Sequence, residues 1–262
     1  GGLEKPLIVD LNSDIRLVQA DQRLSIDNLK LTLAGLSITG KLALTNFESQ
    51  NLEGNLDIAE FNPRTLASSF GAELPELGEG ALSKVAAKFA LGGDAKSLQL
   101  NNLDLILDDT QISGALAINA ESSAIVANLN VDQINLDRYM APASTDVSAA
   151  NEGPAETGWS KEPLFDAEPL KAINAELKLQ IGKALYQGNA IEQIALDLSA
   201  KAGDIRMKKL AAMAFGGKAD VSGAIDARAN PVKLAIKPNF SGSMIMIFLW
   251  FCFCSFIYIT PM

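Results

Sequence analysis

The feature that most constrains this chain is an internal repeat that carries the same break in its alternation both times. LSIDNLKLTLAGLSITGKLAL (Leu24–Leu44) aligns without a gap on LQLNNLDLILDDTQISGALAI (Leu98–Ile118). The two share Leu24/Leu98, Asn28/Asn102, Leu29/Leu103, Leu31/Leu105, Leu33/Leu107, Ile38/Ile112, Gly40/Gly114, Leu42/Leu116 and Ala43/Ala117. The match resumes with NLDIAEFNPRTLA (Asn55–Ala67) against NLNVDQINLDRYM (Asn128–Met140). A repeated unit of this size needs a neighbour to finish burying its apolar face, which points to an extended, stacked architecture.

Within each unit apolar and polar residues alternate. Leu7, Val9 and Leu11 do so, as do Leu52, Gly54, Leu56 and Ile58, then Val85, Ala87, Phe89 and Leu91, and later Ile173, Ala175, Leu177, Leu179 and Ile181. Period two is the mark of strands with one apolar and one polar face. The phase runs Leu24, Ile26, then slips to Leu29, Leu31, Leu33; it runs Leu98, Leu100, then slips to Leu103, Leu105, Leu107. The slips fall on Asp27-Asn28 and Asn101-Asn102, residue types that tolerate left-handed backbone, so a β-bulge is predicted at both. Ala34-Gly35, Gly92–Asp94 and Asp108-Asp109 fall between the runs and predict tight turns. Asn62 before Pro63 predicts a capped short helix over Thr65–Phe70, with Asn135–Met140 the matching site in the second unit.

Composition removes several function classes. The formal net charge is -9, which disfavours nucleic-acid binding, because that needs cations to replace counterions on phosphate. There is no histidine, so the commonest general base and zinc ligand are missing. Both cysteines, Cys252 and Cys254, lie near the end, leaving the body without a disulfide framework. Asp108-Asp109 is the most tempting carboxylate pair, but its place at a hairpin tip is the ordinary use of Asp in turns. Gly216-Gly217 lies between two alternating stretches and reads as a turn, not as a phosphate loop. No catalytic residue, metal site or cofactor is expected, and a small hydrolase is the least favoured class.

The predicted organisation is a β-repeat region over 1–141, with units at about 7–71 and 83–141, a linker over 142–169, a further β-repeat unit over 170–242 and an apolar tail over 243–262. The linker is rich in Ala, Ser, Pro and Glu, and its Trp159 reads as an anchoring aromatic on a surface loop. The tail, MIMIFLWFCFCSFIYI at Met244–Ile259, is uncharged and aromatic where the body is aliphatic. It reads either as a short membrane segment, slightly below the length of a spanning helix, or as out-of-frame sequence; the abrupt change of character favours the latter. Gly1 is not Met and no signal peptide is visible, so the chain reads as beginning within a longer protein.

The fold class expected is mainly β: a curved, extended, antiparallel repeating sheet, or β-groove, with a few short helices. Its aliphatic face is the one resource for function. The residues expected to line it are Leu29, Leu31, Leu33, Leu42, Leu103, Leu105, Leu107, Leu116, Ile118, Leu177 and Leu179. Alternation alone does not separate an open apolar groove from a closed sandwich, so a structural or adhesin-like stack of β-sandwiches stands as the alternative.

SLQLNNLDLILDDTQISGALAIN (Ser97–Asn119), VDQINLDRYMAP (Val131–Pro142), WSKEPL with LKAINAELKLQIGKALYQG (Trp159–Gly188) and MAFGGKADVSGAIDA (Met213–Ala227) resemble the C-terminal region of AsmA-family envelope proteins. The resemblance covers about Leu7–Phe240. It implies a non-enzymatic protein on the periplasmic face of the bacterial inner membrane, held by an N-terminal anchor that this chain lacks. It also implies a role in outer-membrane assembly and a bridge-like lipid-transfer fold whose partners are phospholipid acyl chains. Ser243 onward does not continue the family pattern.

Overall fold

The computed structural model describes residues 8–72, 74–75, 77–140, 168–229 and 232–243. Most of the linker and, from Met244 onward, the apolar tail lie outside the described residues, as does Trp159. The first unit contributes strands β1 (Val9–Val18), β2 (Arg23–Leu33), β3 (Leu36–Thr45) and β4 (Asn51–Phe61). The second contributes β5 (Val85–Gly93), β6 (Ser97–Leu107), β7 (Thr110–Asn119) and β8 (Ala124–Asn135). Beyond the linker follow β9 (Asn174–Tyr186), β10 (Asn189–Lys201), β11 (Asp204–Ala214), β12 (Gly217–Asp226) and β13 (Lys233–Gly242). All thirteen form one open, curved sheet in sequence order. One junction departs from the antiparallel expectation: β8 and β9 pair in parallel, Ala127 opposite Leu177 and Val131 opposite Ile181. The segment between them is long enough for a crossover, which a parallel pair requires and a hairpin cannot supply.

Helical structure is confined to the ends of units. Helix α1 (Pro63–Ser69) follows β4; Asn62 Oδ1 accepts from the Thr65 amide at 3.0 Å and proline occupies the first turn, as the sequence predicts. The equivalent site after β8 is a single 3-10 turn, Leu136–Arg138, capped by Asn135. A short helix α2 (Glu168–Lys171) precedes β9.

The predicted bulges are present. Register shifts between Ile26 and Leu29 on β2 and between Leu100 and Leu103 on β6, with Asn28 at φ 53° and Asn102 at φ 52°. The extra residue lets Ile26 and Leu29 point to the same face, as it does Leu100 and Leu103. The structure also discloses a third copy. β11 and β12 align without a gap on β6 and β7, Ile205–Asp226 on Leu98–Asn119, and the register of β11 shifts between Met207 and Leu210, at Lys208-Lys209. That copy has lysines where the other two have Asn and Asp, and the register shift is present all the same.

Turn chemistry sets the hairpins. Ala34-Gly35, Gln187-Gly188, Ala202-Gly203 and Phe215-Gly216 are two-residue loops in which both φ angles are positive, the arrangement that follows the right-handed twist of the strands. The last of these corrects the expected turn at Gly216-Gly217 by one residue: Gly217 already begins β12.

Gly114 faces the second bulge across the hairpin, opposite Leu103, with φ +146°; a β-carbon there would collide with the Asn128 carbonyl of β8. Gly92 on β5 has open space around it. Gly114→Ala is therefore expected to lower unfolding free energy by about 2 kcal/mol, the scale of forcing a side chain into such backbone. Gly92→Ala should stay within about 0.5 kcal/mol of the parent. Urea unfolding of both variants measures the difference.

Candidate functional site: an uncovered aliphatic face

Residues paired across neighbouring strands share a face, so the register strings side chains into rows that run across the sheet. One row is Leu17, Leu24, Leu44, Leu52, Gly93, Leu98, Ile118, Ile125, Ala175, Ala200, Ile205, Ile225 and Leu234. The next is Ile15, Ile26, Leu42, Gly54, Leu91, Leu100, Leu116, Ala127, Leu177, Leu198, Met207, Gly223 and Ile236. Each crosses all thirteen strands without a polar side chain. At a strand spacing of about 4.8 Å such a row is roughly 58 Å long.

Past the bulges the pattern continues. Leu103, Gly114, Leu129, Leu179, Leu196, Leu210 and Val221 form a third row, with Leu29, Gly40, Leu56 and Phe89 its counterpart in the first unit. A fourth holds Leu11, Leu31, Ile38, Ile58, Ala87, Leu105, Ile112, Val131, Ile181 and Ile194. Leu33 and Leu107 stand one step further, at hairpin ends. All eleven residues expected to line the face therefore lie on one side of the sheet. Sequence reading missed most of the first row and the contribution of β11 and β12. The ungapped match of Ile205–Asp226 to Leu98–Asn119 was the signal that would have found the latter.

The opposite face is polar. Lys30, Thr39, Asp57, Lys88, Asp104, Ser113, Asn130 and Gln180 make a row of their own. Lys88 lies 3.0 Å from Asp57 and Gln111 donates to Asp104 at 2.9 Å. Such solvated pairs contribute little to stability, but they keep this face wet.

No second layer covers the aliphatic face among the described residues. Among the described residues the hydrophobic ones withdrawn from water are all alanines, and no large side chain is fully buried. A sandwich would sink leucines and isoleucines of two facing sheets out of solvent, so the described sheet is not half of a closed core. Leu29, Leu31, Leu105 and Leu116 are half-buried, sheltered by one another on a curved surface and not by an opposing sheet.

Asp108, the tempting carboxylate, proves to be structural. It is 5% exposed and sits at the hairpin tip between β6 and β7. It accepts from the amides of Leu82, Ser83 and Lys84 at 2.9, 2.8 and 3.0 Å, from the Ser83 hydroxyl at 2.9 Å and from the Tyr139 hydroxyl at 2.6 Å. Asp109 next to it pairs with Arg138 at 2.8 Å. Burial alone raises the Asp108 pKa; the donated hydrogen bonds, led by Tyr139, outweigh it and hold the carboxyl at about 2. The same repeat position is Ala34 in the first unit and Phe215 in the third, so only the middle unit fastens its entry segment and its exit turn to a hairpin tip in this way.

Comparison with known proteins agrees with the resemblance seen in the sequence. The chain is similar to Protein AsmA of Escherichia coli (strain K12), 22% identical over 209 residues, which is 72% of this chain and 33% of that protein. The chain thus spans about a third of the length of that relative. No protein-family model matches. Among solved structures there is a likeness to LptH of Pseudomonas aeruginosa, described as the LptA-homologous periplasmic component of a lipopolysaccharide transport device. It has 10% identity over 48% of this chain and 84% of that one, and its TM-score of 0.24 is too low to carry a functional inference.

Because the folded Asp108 pKa lies below the unfolded value of 3.8, its stabilisation is complete above pH 4 and is lost as pH falls toward 2. Asp108→Asn is expected to unfold about 2 kcal/mol more easily than the parent at pH 5, with the gap closing by pH 2. Urea unfolding of both proteins across that range measures it.

Proposed function

We infer that the chain is a lipid-holding segment of an envelope-biogenesis protein, in which the aliphatic rows take up phospholipid acyl chains. The carrying observation is the continuity of those rows across thirteen strands with no layer over them among the described residues. Acyl chains ask for apolar area and no directional bonds, and each methylene moved from water onto such a surface gains about 0.8 kcal/mol. The polar reverse face keeps the sheet soluble while the other side carries its load. Similarity to Protein AsmA supports an envelope setting, with residence on the periplasmic face of the inner membrane and a part in outer-membrane assembly as the finer content of the proposal. Attachment through an N-terminal anchor belongs to the same proposal. No helix among the described residues is long and apolar enough to cross a membrane. The work proposed is non-enzymatic: the most buried carboxylate, Asp108, is spent on five hydrogen bonds within the fold.

Photoactivatable phospholipid is expected to label the protein on the face holding Leu105 and Leu116. Leu105→Asp and Leu116→Asp should each cut labelling tenfold or more while retaining β-type circular dichroism, because a carboxylate on an apolar surface costs several kcal/mol to desolvate. Ile106→Asp, placed on the polar face opposite Gln111, should label as the parent does. Absence of label from the aliphatic face, or equal labelling of all three variants, would reject the proposal.

A further inference from the structure

The bulges and several glycines of the sheet line up with one another. All three bulges fall between the second row and the third: Asp27-Asn28 between Ile26 and Leu29, Asn101-Asn102 between Leu100 and Leu103, and Lys208-Lys209 between Met207 and Leu210. The same two rows hold four glycines, Gly54 and Gly223 in the second, Gly40 and Gly114 in the third. A β-carbon on the aliphatic side of these glycines would run into a backbone carbonyl of the neighbouring strand, that of Lys41, Ala235, Asn55 and Asn128 respectively. The outer face shows the opposite. Behind the second row lie two depressions, one of about 360 Å³ floored by Ser25 and Ala43 and one of about 460 Å³ floored by Ser222, Gly223 and Ala224. They occupy the same repeat position, since Ala224 aligns with Ala43. Crowding on one face and spreading on the other mark a fold line, which is what bulges in register produce. The sheet is creased between the second and third rows, concave on the aliphatic side.

Spacing decides which way a slot on this face runs. Neighbours within a row stand about 4.8 Å apart, close enough to touch, so no slot opens between strands. Successive rows stand about 6.7 Å apart, which leaves a furrow of one methylene chain's width between them. Furrows on this face therefore run across the strands. The crease differs from the others in its concavity: a chain lying in it meets both banks as well as the floor. From β2 to β12 neither bank carries a polar side chain, and Phe89 of β5 is the one aromatic.

We propose that acyl chains lie lengthwise in this crease, at right angles to the strands, with the second and third rows as its banks. This rests on the lipid-holding function proposed above, to which it adds the direction of the chain and the residues that hold it. A chain so placed passes several strands without leaving its furrow. One lying along a strand would have to climb over the ridge of each successive row, losing contact at every crossing.

The test uses the full chain, unaltered, and a phosphatidylcholine in which one acyl chain carries two diazirines roughly 12 Å apart, two to three strand spacings. After illumination, mass spectrometry of the digested protein identifies residue pairs joined by one lipid. Pairs within the second or third row on different strands are expected, such as Leu42 with Leu91, Leu103 with Leu129 or Leu100 with Leu177. They should outnumber pairs within one strand at least fivefold. Pairs along a single strand, such as Leu42 with Ile38 or Leu177 with Ile181, are within reach of the same probe. Their predominance, or equal yields of the two kinds, would overturn the lengthwise placement and leave lipid holding by the face intact. Attachment spread evenly over all four rows would do the same. No attachment to the aliphatic face at all would overturn both readings together, so the two failures are told apart in one experiment.

Discussion

Everything about this sheet depends on keeping one set of side chains on one face while the strands bend. A strand alternates strictly, so a curved ribbon of thirteen strands needs a device that introduces curvature without turning leucines outward. The bulges at Asp27-Asn28, Asn101-Asn102 and Lys208-Lys209 are that device. Each inserts one residue, bends its strand and returns Leu29, Leu103 and Leu210 to the face already held by Ile26, Leu100 and Met207. A strand without the insertion would present half its length to the wrong solvent. In two of the units a glycine, Gly40 or Gly114, stands opposite the residue after the bulge and lets the next strand's carbonyl come close.

The absence of a covering layer among the described residues changes what stabilises such a sheet. A sandwich draws its stability from large side chains shut away between layers, but here the hydrophobic residues withdrawn from water among the described residues are alanines alone. Much of the burden passes to the backbone ladders, to the hairpin turns and to lateral contact between neighbouring aliphatic residues along a row. Stability of this kind is local, each strand depending on the two beside it, as in other stacked repeats. It leaves the aliphatic face without a covering layer among the described residues, which is the feature the proposed acyl-chain binding rests on.

The extent to which this was readable in the sequence follows from the same physics. Strand positions, the phase slips and the placing of the eleven candidate residues on one face were legible because period two and a break in period two are visible in a linear string. The cap at Asn62 was legible because its hydrogen bond is to a residue three positions on. What could not be read is non-local. The parallel pairing of β8 with β9 joins strands on either side of a linker whose sequence has no periodicity from which to read it. The third bulge was hidden because lysines occupy it: a left-handed preference marks a bulge, but tertiary pairing imposes one on residues without that preference. Asp108 was rightly placed at a turn, yet its partners Ser83 and Tyr139 are 25 and 31 residues away, and nothing local announces them.

That Asp108 hub sits where the architecture has most need of it. The second unit is the one whose last strand gains a parallel neighbour, so the chain must leave β8 in a direction different from a hairpin return. Asp137 in the turn after β8 accepts from the amide of Gly188 at 3.0 Å, and also from that of Gln187, which ties the exit to the β9–β10 turn. Tyr139, two residues on, donates to Asp108, and Arg138 between them pairs with Asp109. One short turn thereby grips the hairpin on its own side of the seam and the first hairpin beyond it. The charged groups there are consumed in holding two repeat blocks in register, and the continuity of the aliphatic rows from Leu116 and Ala127 on to Leu177 and Leu198 is what that register secures.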